Sequence, residues 1–267
     1  MTMEHRLRGA VERQEFELHY QPKIDVRTRQ IRGLEALVRW RDPEAGLVMP
    51  GVFLSLMESS GLIVPLGDWI LRQATSDLRR WQGAGFAPGR IAVNISPVQL
   101  RRRTFADHLL DLVGEWRNEN VGIDIEITEG VLIDDVSSAV SQLRMLRRSG
   151  VRVAIDDFGT GYSSLSRLSE LPVDMLKIDR SFVSQLTSSG TGRTVAETII
   201  ALGKAFNMTT LAEGVETAEQ FDMLGHLGCD QSQGYLHSRP LGSADIEPLL
   251  KNVAAAPLQR TGTHPGR

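Results

Sequence analysis

The chain has 267 residues, of which 41% are hydrophobic and 24% charged, and its formal net charge at pH 7 is −3. This composition is typical of a globular protein with a sizeable core, and the length fits either one large α/β barrel or two smaller domains. The small negative charge gives no long-range attraction to polyanions, so we expect neither a nucleic-acid polymer nor a membrane surface as a partner.

Strand-like runs alternate with helical patterns along the chain. The first two strands are predicted over 16–22 and 30–40, close enough together to pair as a hairpin. Further strands are predicted over 91–96, 123–129, 151–157, 175–179, 209–214 and, from a weaker pattern, 229–235. Amphipathic helices are predicted over 68–85, 105–120, 136–150, 193–206 and 217–228, and several of them end at glycine, the usual residue after a helix.

This order of elements predicts a modified TIM-like (β/α)8 barrel with an irregular, partly antiparallel first strand. A doubly wound open sheet is the alternative. Since no linker or fixed-period repeat divides the sequence, we expect residues 1–254 to form one domain. Residues 255–267 have no apolar periodicity and are expected to form a disordered tail.

The sequence also indicates a cellular compartment. Its single cysteine, Cys229, cannot form an intramolecular disulfide and suits a reducing environment. The first residues lack the apolar core of a signal peptide, and no segment approaches the roughly 18 apolar residues of a membrane span. We therefore expect a cytoplasmic protein.

Polar side chains stand at the ends of the predicted strands. Each strand is apolar along most of its length and then reaches a carboxylate, an amide or a lysine. Because all parallel strands of a barrel end at the same face, these side chains are expected to converge on one site. In chain order they are Glu35, Asn94, Glu126, Asp156 with Asp157, Lys177 with Asp179, Glu213 and Gln233.

This set of residues predicts a metal centre. Carboxylates gathered at one site repel one another unless they are protonated or bind cations. Carboxylate and amide oxygens suit hard divalent cations, so two Mg²⁺ or Mn²⁺ ions are the expected cofactors. Because the backbone bends at a strand end, one of the two adjacent aspartates could bridge both ions while the other holds only one. Two ions about 3.5 to 4 Å apart carry out displacement at phosphate esters. Lys177 could orient or deprotonate a water, or neutralise charge in the transition state.

The turn after the paired acids, within VAIDDFGTGYSS, could instead be a dinucleotide-binding loop. It has two glycines of that motif but lacks the third, and the two anions before it would repel a pyrophosphate. Any one acid could also be a salt bridge or a helix cap. The series of polar strand ends favours the metal centre over both interpretations.

Eight short motifs follow one another along the chain: HYQPKID, LEALVRW, VNISPVQL, EITEG, DDFGTGYSSL, LKIDRSFV, AEGVET and QGYLHSRPL. In this order and spacing they resemble the EAL family of bacterial cyclic-di-GMP phosphodiesterases, over roughly residues 5–250. The resemblance implies a modified βα barrel that uses Mg²⁺ or Mn²⁺ to hydrolyse one phosphodiester bond of cyclic-di-GMP, giving linear pGpG.

The resemblance also implies roles for individual residues. The metal ligands would be Glu35, Asn94, Glu126, Asp156, Asp157 and Glu213, the last directly or through a hydrogen bond. Asp156 would bridge the two ions, and Asp157 would hold only the second. Lys177 would position and help to deprotonate the attacking water, and Gln233 would support that water, so that the catalytic set is Glu35, Lys177, Glu213 and Gln233. Arg39 would contact a phosphate, as arginine's paired donors suit. The groove would also be lined by Gln21, Leu37, Asp179 and Glu216.

The glycine-rich turn corresponds to the family's loop between active site and dimer interface, so the resemblance implies a homodimer and assigns Glu129 the role of tethering the loop. Gly130 replaces the usual serine and His237 stands where phenylalanine is common, but neither change removes a metal ligand. A noncatalytic cyclic-di-GMP receptor is the alternative function, and an interaction module without nucleotide is a third. Receptors of this kind usually lose acids from the motif set, whereas this chain has lost none.

Overall fold

The structure is a computed structural model, and it describes residues 3–114, 120–132, 136–161, 168–187 and 190–254. The strands within these ranges are β1 (Phe16–Asp25), β2 (Ile31–Asp42), β3 (Gly46–Val48), β4 (Arg90–Asn94), β5 (Gly122–Thr128), β6 (Val153–Phe158), β7 (Met175–Ile178), β8 (Thr209–Ala212), β9 (Gln231–Ser232) and β10 (Leu241–Gly242). All of the predicted strands are present, and the weakest pattern gives the short β9. The expected tail over 255–267 lies outside the described residues.

The helices are α1 (Met3–Glu12), α2 (Pro50–Ser59), α3 (Ile63–Gly83), α4 (Pro97–Leu100), α5 (Phe105–Val113), α6 (Val136–Arg148), α7 (Arg180–Val183), α8 (Thr191–Ala205), α9 (Ala218–Leu227) and α10 (Glu247–Ala254). A 3-10 turn spans Glu129–Leu132. The helix predicted over 105–120 is too long: α5 ends at Val113, because Gly114 adopts a φ of +73° that a helix cannot continue through.

Eight strands close into a barrel. Parallel hydrogen bonding runs from β2 through β4, β5, β6, β7 and β8 to β9, and β1 completes the ring by pairing antiparallel with both β9 and β2. The short strands β3 and β10 extend β2 and β1 outside the ring. The predicted (β/α)8 barrel with an antiparallel first strand is therefore confirmed, and the closed ring excludes the doubly wound open sheet.

Alternation along β1 separates the two faces of this strand. Phe16 and Tyr20 face the helices, where Tyr20 packs edge-on against Trp81 of α3 at 4.8 Å between ring centroids. The Tyr20 hydroxyl donates a 2.7 Å hydrogen bond to Asp77 of α3. Because successive side chains of a strand point to opposite faces, the alternate positions, including Gln21, point into the barrel.

The apolar core lies between the barrel strands and the surrounding helices. In one part of it, Phe16 of β1 and Trp40 of β2 pack with Phe53 of α2, with ring centroids 5.7 to 6.4 Å apart. Fully burying each such side chain contributes about 1.5–3 kcal/mol, so the hairpin of β1 and β2 is held firmly against α2. Within the described ranges, none of the helices combines the length and the apolar character that spanning a membrane requires.

Candidate active site

Five acidic side chains, Glu35, Glu126, Asp156, Asp157 and Glu213, lie near one another where the strands end, and we call them the carboxylate cluster. The fully buried ammonium group of Lys177 lies among them. Its Nζ is 2.5 Å from Glu126 Oε2, 2.6 Å from Glu213 Oε1 and 3.0 Å from Asp156 Oδ1. Glu35 Oε1 is farther away, at 3.9 Å. Strands β2, β5, β6 and β7, together with the residue after β8, thus bring these side chains into contact.

Two amide side chains hold Glu35 in place. Asn94, at the end of β4, donates a 2.8 Å hydrogen bond to Glu35 Oε1. Gln233, just after β9, donates hydrogen bonds to Glu35 Oε2 at 2.5 Å and to Gln21 Oε1 at 3.0 Å. Gln21 in turn donates to the carbonyl of Ser238 at 2.9 Å. Gln233 Oε1 is buried and has no hydrogen-bond partner among the described residues, so the amide that holds Glu35 keeps an unused acceptor.

Asp156 and Asp157 stand on a bent strand end. Asp157 has a φ of +52°, which turns its backbone out of the strand, and its N–H donates a 3.0 Å hydrogen bond to Asp156 Oδ1. One carboxylate oxygen each from Asp156, Asp157 and Glu213 lie within 4.8 Å of one another. A set of carboxylate oxygens with a neighbouring amide is the donor chemistry that Mg²⁺ and Mn²⁺ prefer, so these residues fit such ions.

Burial and charge shift the acidity of these groups in different directions. Burial alone would raise the pKa of Glu126, but the ammonium groups of Lys177 and Lys23 outweigh it and lower that pKa to about 2. For Glu213, burial and the negative charge of Asp156 prevail over the attraction of Lys177 and raise the pKa to about 8. Partial desolvation, with the charges of Asp156 and Asp179, raises the pKa of Asp157 to about 6.

Burial also raises the pKa of Glu35, although Lys177 opposes the shift. In Lys177 itself, burial would lower the pKa, but the charges of Glu126 and Glu213 hold that pKa well above its usual range. The acids thus differ widely in proton affinity although they share one site. A cation bound among them would offset the repulsion that produces these differences.

Two of the predicted groove residues lie beside the cluster on β2. Arg39 is buried and donates a 2.9 Å hydrogen bond to the carbonyl of Val38. Desolvation lowers the pKa of Arg39, and the negative charge of Glu35 opposes this shift. Leu37 is half-buried and pairs in register with His19 of β1. Both follow Glu35 at alternate positions, so they share its inward face.

Two further predicted groove residues, Asp179 and Glu216, have local partners. Asp179 is the N-cap of α7, where its side chain accepts a 3.0 Å hydrogen bond from the N–H of Ser181. Glu216 is exposed and forms a 2.8 Å ion pair with Arg180. Neither is among the acids that contact Lys177, although Asp179 lies close enough to Asp157 for a side-chain hydrogen bond.

Glu129 connects the 3-10 turn after β5 to the glycine-rich loop after β6. Its Oε2 accepts hydrogen bonds from the N–H groups of Gly159 and Gly161, both at 3.3 Å. A Cβ on Gly161 would lie 2.9 Å from Glu129 Oε1, so the loop backbone approaches this carboxylate closely. The rest of the loop, 162–167, and the proposed connection to a dimer interface lie outside the described residues.

His237, where the sequence departs from the family pattern, is oriented toward β9. Its Nε2 lies 2.8 Å from Ser232 Oγ, and its ring packs edge-on against Phe221 at 5.3 Å between centroids. Ser232 immediately precedes Gln233, so His237 supports the strand that presents the amide.

Lys23 of β1 contacts the site but was missed by the sequence prediction. Its Nζ lies 2.5 Å from Glu126 Oε1, so Glu126 is held between Lys23 and Lys177. The sequence does contain a signal for this position: Lys23 follows Gln21 by two residues on a strand and must share its inward face.

A protein-family model described as "EAL domain" matches residues 4–240. The chain belongs to the EAL family. This EAL domain is 41% identical over 250 residues to the bifunctional diguanylate cyclase/cyclic di-GMP phosphodiesterase MucR of Pseudomonas aeruginosa, covering 94% of the chain and 36% of MucR. It is 40% identical over 245 residues to the cyclic di-GMP phosphodiesterase PdeR of Escherichia coli, covering 92% of the chain and 37% of PdeR. The chain therefore spans about a third of the length of these curated relatives.

Solved structures resemble the EAL domain equally well. The structure titled "PaMucR Phosphodiesterase, c-di-GMP complex" is 40% identical with a TM-score of 0.84, and the match covers 91% of this chain and 98% of that one. The cAMP- and cyclic-di-GMP-bound form of EAL enzyme Bd1971 is 36% identical with a TM-score of 0.87, covering 93% and 68%. The family resemblance expected from the motifs is confirmed.

Proposed function

We propose that this EAL domain hydrolyses cyclic-di-GMP to linear pGpG in a reaction that depends on Mg²⁺ or Mn²⁺. The observation that carries the proposal is the convergence of Asp156, Asp157 and Glu213 within 4.8 Å, beside a buried lysine in contact with Glu126. Relatives about 40% identical over most of the chain are named cyclic di-GMP phosphodiesterases. The acids repel one another strongly unless cations bind among them, and their oxygen donors are the kind that divalent cations prefer.

The proposed ligands of the two ions are Glu35, Asn94, Glu126, Asp156, Asp157 and Glu213, with Asp156 shared between them. When bound, the ions would activate a water and neutralise charge on the phosphate. Their charge would also weaken the field that holds the pKa of Lys177 high, which favours a role for Lys177 in proton transfer.

The chain's own residues would position the water and the phosphate. Lys177 would orient the attacking water and help to take up its proton, and the free Oε1 of Gln233 would accept a hydrogen bond from it. Arg39 would bind a phosphate oxygen. The water oxygen forms the new bond to phosphorus as one ester P–O bond breaks, and the departing sugar oxygen gains a proton. Gln21, Leu37, Asp179 and Glu216 would line the substrate groove.

The test is incubation of the purified chain with cyclic-di-GMP and either metal, followed by chromatography for pGpG. Metal-dependent formation of pGpG would support the proposal. Tight binding of cyclic-di-GMP without product in either metal would instead indicate a noncatalytic receptor. If the chain neither binds cyclic-di-GMP nor forms pGpG, the result would favour an interaction module.

We also propose that the chain forms a homodimer, that residues 1–254 form one domain, and that the protein is cytoplasmic. The EAL family supports the dimer, and the free, buried thiol of Cys229 suits a reducing compartment. Sedimentation velocity of the chain tests the dimer, and a single monomeric species at all concentrations would contradict it.

A further inference from the structure

We propose that Lys23 is a positioning residue for the metal centre: it fixes Glu126 from the lower, N-terminal side of the barrel. This inference rests on the proposed metal-dependent function and adds to it a residue that binds neither metal nor substrate.

The two oxygens of Glu126 have different partners. Oε2 faces Lys177 at 2.5 Å, on the side of the carboxylate cluster, while Oε1 faces Lys23 at the same distance on the opposite side. Glu126 is 1% exposed and Lys23 is 5% exposed, so water competes little for either group. A carboxylate bound at both oxygens in this way has one orientation, with a single oxygen turned toward the cluster.

Lys23 reaches Glu126 across the interior of the barrel. In the ring of strands, β1 and β5 are separated by β2 and β4, so the contact is not one between neighbouring strands. The reversed direction of β1 makes it possible: Gln21 lies opposite Glu35 and Lys23 lies lower, opposite Gly33, so the lysine extends upward toward the site.

Small inward-facing side chains leave room for this path. A cavity of about 300 Å³ lies beneath Glu126, and Lys23, Glu126, Gly33, Ala92 and Ala154 are among the residues that line it. Apolar packing therefore does not fix the carboxylate from below. The ammonium group of Lys23 is the contact that holds Oε1.

Loss of this contact should affect metal binding. A carboxylate can turn about its terminal torsion, which has a broad energy minimum, so Glu126 without Lys23 could rotate away from this orientation. Its ligand oxygen would then no longer be held toward the cluster. Replacing the partners that orient metal ligands typically costs about 10- to 100-fold in metal affinity or activity.

The experiment is calorimetric titration of the full chain with Mn²⁺ in the absence of substrate. We expect Lys23→Met to weaken Mn²⁺ binding by about tenfold or more, as for other groups that orient ligands. Lys23→Arg keeps the charge and the donor, and the cavity can accommodate its larger head group, so it should recover most of the affinity. Lys204→Met is the matched control, because Lys204 is exposed, belongs to α8 outside the barrel strands and donates a 3.3 Å hydrogen bond to the carbonyl of Leu227, and it should bind Mn²⁺ like the wild type.

Wild-type affinity in Lys23→Met would overturn the proposal, and so would failure of Lys23→Arg to restore a lost affinity. Circular dichroism without metal checks the fold, and Lys23→Gln replaces Lys23→Met if that variant does not fold. If both neutral variants fail to fold, Lys23 is a structural residue and the proposal is wrong. If the wild type binds Mn²⁺ but forms no pGpG, the proposed phosphodiesterase activity is wrong. The comparison of Mn²⁺ affinities still tests the role of Lys23 in that case. A wild type that binds no Mn²⁺ would contradict the metal centre itself.

Discussion

The backbone of Asp157 adopts a conformation that non-glycine residues seldom take. Its φ is +52°, and partial desolvation together with the charge of the neighbouring Asp156 carboxylate raises its pKa. Such backbone conformations cost on the order of 1–3 kcal/mol and persist where the surrounding structure imposes them, often at ligand sites. The bend gives the two adjacent carboxylates different directions from one strand end, which suits the proposed pairing of a bridging and a terminal ligand.

Replacing Asp156 by Asn should abolish turnover while leaving the fold intact. The amide retains an oxygen that can accept the hydrogen bond from the Asp157 N–H, but it lacks the charge that attracts Lys177 and a cation. We expect at least about a hundredfold loss of pGpG formation, the upper end for residues that only support metal ligands. Asp222→Asn is the control. Asp222 is exposed and forms a surface ion pair with Arg29 at 3.5 Å, so the same change of carboxylate to amide should leave turnover at the wild-type level. Substantial turnover in Asp156→Asn would refute the bridging role.

Cys229 should be unreactive in the folded protein. Its thiol is buried and donates a hydrogen bond to the carbonyl of Gln231, and burial raises its pKa from 9.0 to about 11. Because the reactive form is the thiolate, a thiol reagent at pH 8 should label native protein far more slowly than protein in denaturant. Since the unfolded thiol loses its proton first, the free energy of unfolding should fall as pH rises from 9 toward 11. Rapid labelling of native protein at pH 8 would contradict this account.

At the scale of single elements, strand β1 separates what the sequence could predict from what it could not. Its strand-like pattern predicts the strand and its hairpin with β2, and the family resemblance implies that Gln21 lines the groove. The contact of Lys23 with Glu126 depends on which strands face each other across the ring, and sequence spacing does not fix that. The sequence also predicts a longer α5, because the amphipathic pattern runs through Gly114, whereas the helix ends at Val113.

The close approach of two backbone segments positions Gln233. A Cβ on Gly234 would lie 2.1 Å from the carbonyl oxygen of Val215 and 2.3 Å from its nitrogen, and backbone atoms cannot rotate away. We expect Gly234→Ala to destabilise the fold by about 1–3 kcal/mol, as overpacking does, and to displace Gln233 so that turnover falls as well.

Gly225→Ala is the matched control for that variant. In α9 the new methyl group would meet only Val26 Cγ1 at 3.5 Å, an ordinary contact, so we expect it to be neutral or stabilising by about 0.4–1 kcal/mol. Urea denaturation and pGpG formation measure the two effects. If Gly234→Ala and Gly225→Ala are equally stable, the backbone of Val215 can move aside without loss of stability, and the prediction for Gly234 is wrong.

At the scale of the whole molecule, the barrel is what brings distant residues together. Glu35 and Gln233 are far apart in sequence, yet they form a 2.5 Å hydrogen bond because the strands that carry them converge at one face. The sequence predicts this convergence, since it depends only on strand order and on polar residues at strand ends. It predicts Lys177 at this site but not the individual ion pairs of its ammonium group, nor the burial of Gln21, which depend on how the closed ring packs its interior.

Gathering the carboxylate cluster should link metal binding to the stability of the whole barrel. The acids are held together only in the folded chain, so a divalent cation binds the native state in preference to the unfolded state. At a metal concentration of 100 times Kd this adds about 2.7 kcal/mol to the free energy of unfolding. Each kcal/mol raises Tm by about 2–4 °C in a domain of this size, so MnCl₂ should raise Tm by several degrees relative to NaCl of equal ionic strength.

The rise in Tm should be smaller in Asp157→Asn, which removes one proposed ligand without replacing a buried side chain. Equal melting temperatures of the wild type in both salts would mean that the folded cluster binds no Mn²⁺, and the metal-dependent function would then have to be abandoned.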